Sequence, residues 1–70
     1  MKTSSQIALV TFRVKVAFFT GDICFGSEAY EILAANWYQA EQEGLLRSVE
    51  SAYDNERVPD RSRRVTAVAV

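Results

Sequence analysis

Residues 6–19, QIALVTFRVKVAFF, constrain this chain more than any other stretch. Ala8, Val10, Phe12, Val14, Val16 and Phe18 recur at period two, and every one is apolar. A strand sends successive side chains to opposite faces, so this set lines one face of a long strand whose partner layer is the core. Its β-branched and aromatic content suits a pleated surface. The second set behaves differently. Thr11, Arg13 and Lys15 make its middle polar, while Ile7, Leu9 and Phe19 make its ends apolar. A sheet face bathed in water is polar along its length, so this pattern predicts that something covers part of it.

The rest of the chain must shield the apolar face. TGD at 20–22 signals a turn, and ICF after it reads as a short return strand ended by Gly26. Ser27 is suited to cap a helix N-terminus. The following run to Glu43 is rich in Ala, Glu, Gln and Leu, which are good helix formers. The expected helix covers about residues 27–43. Ala29, Tyr30, Leu33, Trp37 and Ala40 form its apolar stripe, with Trp37 as a core anchor. Gly44 suits the left-handed position that stops a helix. LLRSVESAYDNE fits neither period cleanly; Leu45, Val49 and Tyr53 sharing a face favours a strand. DNERVPDRS is a polar loop, and RRVTAVAV is a closing strand.

These elements predict an α+β fold in the order β-(β)-α-β-β. One amphipathic helix packs on one face of a three- or four-stranded, mostly antiparallel sheet. Seventy residues form a single domain, with the polar residues 1–5 frayed. Such a chain buries only about 60% of its unfolded surface, so stability is thin and a stabilising device is expected. Cys24 is the only cysteine and there is no histidine, so neither an internal disulfide nor a structural zinc is expected. Association remains. The sheet face opposite the helix would expose Ile7, Leu9 and Phe19, with either Val68 and Val70 or Ala67 and Ala69, which predicts a homodimer or a docked partner protein.

Charge is segregated. Lys2, Arg13 and Lys15 give residues 1–21 a charge of +3. Eight acids against Arg47 give residues 22–56 a charge of −7, and four arginines against Asp60 give residues 57–70 a charge of +3. The sum of −1 exerts no global pull on nucleic acid or membrane. Two candidate surfaces follow. On the expected helix, Glu28, Glu31, Tyr38, Gln39 and Gln42 form an acidic, amide-rich outer face for a partner. In the loop before the last strand, Arg57, Arg61, Arg63 and Arg64 form a basic cluster for an acidic protein or nucleic acid, which Arg13 and Lys15 extend if the first strand lies beside the last. No aromatic is interleaved with those arginines, which weighs against base stacking.

Catalysis is not expected. Cys24 lacks a base and reads as a buried packing thiol. The carboxylates lack an enclosed pocket that would split their pKa values, and no glycine-rich phosphate loop is present. No cofactor and no metal are expected. Arg13 and Lys15 interrupt the run a secretion signal needs, no stretch is long enough to span a membrane, and the lone thiol suits a reducing cytoplasm. The functional expectation is a non-enzymatic protein–protein interaction module. One form of it is a phage or mobile-element inhibitor acting in the host cytoplasm, anti-CRISPR-like, whose acidic face imitates nucleic acid. A small nucleic-acid binder using the arginine loop and a structural subunit assembling through its open sheet face are the alternatives.

Overall fold

The computed structural model describes residues 8–70, and the expectations for residues 1–5 and Ile7 lie outside them. The fold is α+β: three antiparallel strands in an open sheet with a single helix on one face. Strand β1 is Val10–Thr20, β2 is Ile23–Ala34, helix α1 is Trp37–Ser48 and β3 is Arg61–Ala69. The spatial order is β2-β1-β3, so β1 is central and both of its neighbours are edges.

The face assigned to β1 from its period is buried from Phe12 onward, whereas Ala8 and Val10, assigned to the same face, are exposed beyond the core. Phe12, Val14, Val16 and Phe18 all pack inward. Gly21, at φ 58, and Asp22 form a two-residue turn between Thr20 and Ile23. A glycine with positive φ in the first central position suits the type II′ turn, whose twist matches that of the flanking strands.

The return strand is not short. It runs from Ile23 to Ala34 and takes up residues 27–34, the first half of the expected helix over 27–43. Helix propensity there is overridden by pairing, because β1 has backbone groups to satisfy along its whole length. EAYEILA also carries a period of two: Tyr30, Ile32 and Ala34 face the core, while Ala29, Glu31 and Leu33 face outward. Register shifts between Phe18 and Phe19, which pair with Gly26 and Cys24. The extra residue is Phe25, and this β-bulge turns its ring toward Phe18 and Tyr53 at centroid distances of 6.4 and 6.2 Å. Tyr53 lies flat over Gly26, where any Cβ would enter its ring.

The helix starts nine residues later than a cap at Ser27 suggests. Its N-cap is Asn36, whose Oδ1 accepts from the Gln39 N–H at 2.9 Å, while Gln39 Oε1 accepts from the Ala35 N–H at 3.3 Å. Asn36 and Gln39 thus act reciprocally, in the manner of a capping box. Gly44 is not a stop. It lies inside α1 on the buried side with Ala40 and Ser48, and a Cβ there would collide with Val14. Three small residues four apart let the helix lie close against β1, and α1 touches all three strands. The strand expected over 45–56 does not form: Leu45 to Ser48 finish α1 and turns follow. Trp37 is not a core anchor either, being 58% exposed at the first position of the helix.

Beyond α1 the chain is tied back by polar contacts. Ser48 is fully buried, donates to the Leu45 carbonyl at 2.7 Å and accepts from Arg63 Nη1 at 2.6 Å. Asp54 accepts from Arg63 Nη2 at 2.7 Å and Arg61 Nη1 at 3.1 Å. Thr20 Oγ1 donates to the Pro59 carbonyl, and the Gly21 N–H to that of Asp60, which holds the incoming loop against the β1–β2 turn. No helix among the described residues is long and apolar enough to cross a membrane.

Candidate functional site

The proposed acidic helix face is not assembled. Glu28 and Glu31 lie on β2, three positions apart, and so point to opposite sides of the sheet. Glu28 faces the helix side and accepts from Ser51 Oγ at 2.6 Å. Glu31 faces the open side, 3.6 Å from Arg13. Only Tyr38, Gln39 and Gln42 of that set are on α1, all exposed, and Gln39 is engaged in capping.

The basic loop is divided in the same way. Arg57 is exposed in the loop before β3. Arg61 and Arg63 are held by Asp54, and the Arg63 guanidinium lies 5.1 Å over the Phe18 ring. These two are structural clamps on the helix side. Arg64 points the other way, over the ring of Phe19 at 5.1 Å.

Strand alternation then brings Arg64 to the same face as Arg13 and Lys15, because β3 does lie beside β1. On this open face Thr11 pairs with Leu33, and the Val70 N–H donates to the Thr11 carbonyl at 3.0 Å. Arg13 lies between Glu31 and Val68, Lys15 between Ala29 and Thr66, and Ala17 between Ser27 and Arg64. Phe19 follows, beside Ser62. The face is therefore graded along the strands. One end is apolar, with Leu33 at 63% and Val68 at 64% exposure and with Leu9 and Val70 also exposed. The middle is cationic. The far end carries the Phe19–Arg64 stack. An open groove of about 330 Å³ runs over the apolar end between Arg13, Lys15, Thr66, Val68 and Val70. The Arg13–Glu31 pair is long and well exposed, and such pairs contribute less than about 1 kcal/mol.

On the helix side a second groove, about 550 Å³, lies between β2 and the end of α1, lined by Glu28, Tyr30, Glu43, Leu46, Arg47, Glu50 and Ser51. Burial pushes the Tyr30 phenol above its ordinary 10.0, and the Glu28 carboxylate adds to the rise, so it remains a neutral hydroxyl. Among the described residues no three acidic or thiol side chains converge as metal ligands would. Cys24, expected to be buried, is exposed on the edge strand.

Phe19 and Leu33 are the site residues that sequence reasoning placed poorly. In the sequence Phe19 reads as an apolar end residue of β1, and Leu33 as part of a helix stripe. Extending the period-two reading through EAYEILA was the signal that would have put Leu33 on the open face. Comparison of the chain with protein-family models, with curated proteins and with solved structures finds no match in any of the three.

Proposed function

We propose that the protein is a non-enzymatic protein–protein interaction module that docks through the apolar end of its open sheet face, and that its first partner is a second copy of itself. The supporting observation is that Leu33 and Val68, both more than half exposed, lie at one end of the face with Leu9 and Val70. Exposed apolar side chains gathered at one end of a sheet face, on so small a domain, support a docking role. Full face-to-face stacking would set Arg13, Lys15 and Arg64 of one copy against those of the other. The overlap is therefore confined to the apolar ends, with the cationic halves pointing apart. So few side chains bury less than the ~1,200 Å² of a stable interface, so the association is reversible.

An inhibitor of a host protein, of the phage type, would act through this same face by occupying the target. The version in which carboxylates imitate nucleic acid loses its support, because Glu28 and Glu31 do not share a surface.

Sedimentation equilibrium from micromolar to submillimolar concentration tests the proposal. The parent chain is expected to self-associate, and the Leu33→Ser, Val68→Ser double variant to do so at least tenfold more weakly. A monomer throughout the range, or self-association indifferent to both residues, defeats it.

A further inference from the structure

We propose that the cationic half of the open sheet face binds the sugar–phosphate backbone of single-stranded nucleic acid, with Arg13, Lys15 and Arg64 on phosphates and the Phe19–Arg64 stack against a base. This goes beyond the docking role of the apolar end; of the four-arginine cluster seen in the sequence it keeps only Arg64, joins it to Arg13 and Lys15 across β1, and leaves out Arg57, Arg61 and Arg63.

Two features of the face carry the inference. The first is the spacing of charge. Arg13 and Lys15 are two residues apart on β1, and Arg64 is on β3 opposite Ala17, two residues further on. From strand geometry the successive Cα separations are about 7 Å and about 8 Å, so the three cations trace a shallow diagonal. Successive phosphates of a single strand drawn out of its stack fall at comparable intervals. All three side chains are exposed. Thr66 and Ser62 on β3, and Ser27 on β2, place hydroxyl donors beside the same path.

The second feature is the aromatic at the end of the path. Phe19 is partly covered by the Arg64 guanidinium at 5.1 Å, and a planar cation on an aromatic ring offers a base a further plane to stack on. An open three-stranded face presents no helix to a duplex groove, whereas the splayed bases of a single strand lie readily on such a surface.

The opposing charges define its limits. Glu31 is the carboxylate that shares the face, beside Arg13. Asp22 lines the recess next to Phe19 and Arg64 and bounds the path beyond them. Glu28, Glu43 and Glu50 line one groove of the helix side, and Asp54 lines another. The sheet thus separates a cationic face from an anionic one, which orients the molecule toward a polyanion although its net charge is −1.

The test is fluorescence anisotropy with a labelled oligonucleotide of about 12 nucleotides, the scale of a sheet-borne single-strand site. Three phosphates neutralised on a single strand give a salt slope of about −2, hence a roughly 20-fold loss of affinity from ~50 to ~200 mM salt. Lys15→Ala with Arg64→Ala should weaken binding more than tenfold, and Phe19→Leu severalfold. Glu31→Gln should strengthen it. Arg57→Ala, away from the face, should leave it unchanged, and so should Leu33→Ser with Val68→Ser, which separates this outcome from the fate of the docking proposal. No binding at low salt, or binding indifferent to Lys15 and Arg64, overturns the inference. Displacement by polyglutamate as effective as by unlabelled oligonucleotide also overturns it, and points to an acidic protein instead.

Discussion

The two faces of the sheet are built from alternate residues of the same three strands, yet they have opposite characters. On the helix side, Phe12 and Val14 cluster with Ile32, Ala34 and Ala40, Val16 is buried near Gly44, and Phe18 is buried against Phe25 and Tyr53. The polar side chain buried there, Ser48, is matched by Leu45 and Arg63. On the open side, Thr11, Arg13, Lys15, Ala17 and Phe19 carry no such layer, and the apolar residues at one end lie bare. One face is constrained by stability, and the other is free of that constraint. The arginines show the division well: Arg63 and Arg64 are adjacent in sequence, but one is a clamp over Phe18 and the other a surface cation over Phe19.

This contrast can be broken or sharpened by substitution. The largest effect is expected for Phe18→Ala, which removes a buried ring from under Tyr53 and Arg63 and should cost about 3–5 kcal/mol in urea unfolding. Gly44→Ala is more discriminating. Alanine is the better helix former, by about 1 kcal/mol on an open helix. Here its methyl group meets Val14, and a net loss of about 1–3 kcal/mol is expected. A gain in melting temperature would mean the helix does not lie so close. Asp54→Asn weakens the grip on Arg61 and Arg63 and should cost about 1–2 kcal/mol. On the open face, Leu33→Ser or Val68→Ser alone should change monomer stability by less than ~0.5 kcal/mol while weakening association. The smallest effect concerns pH. Because the Tyr30 phenol is raised above 10.0, the folded state holds its proton longer than the unfolded chain does. Its contribution is therefore intact below pH 10 and is lost as pH climbs beyond it. Tyr30→Phe should flatten that alkaline decline in a stability–pH series.

Some of this was legible in the residues. Strand β1, its buried face, the last strand and the bare underside all follow from alternation and composition. The presence of a single helix was also readable, but its position was not. Ser27 and Asn36 are both acceptable caps, and EAYEILAA satisfies a helix by composition and a strand by period. The deciding factor was the demand of β1 for a neighbour along its full length, which is a tertiary demand. Gly44 misled for a related reason. A glycine ends a helix when it supplies left-handed backbone, but here it supplies the absence of a side chain, and only Val14 across the interface reveals which. The arginine cluster looked like one surface because its members are close in sequence, whereas strand alternation sends Arg63 and Arg64 apart.

The strand order has a bearing on how the molecule is made. The middle of the sheet is translated first, and its two flanks arrive unequally. The hairpin with β2 can close at once through the Gly21 turn, but the other flank waits for α1 and the loop after it to leave the ribosome before β3 can zip Phe12 to Ala69. During that interval the nascent chain presents an unzipped, β-branched margin to its surroundings. The birth of this protein, more than its mature form, is the moment at which it is open to misassembly.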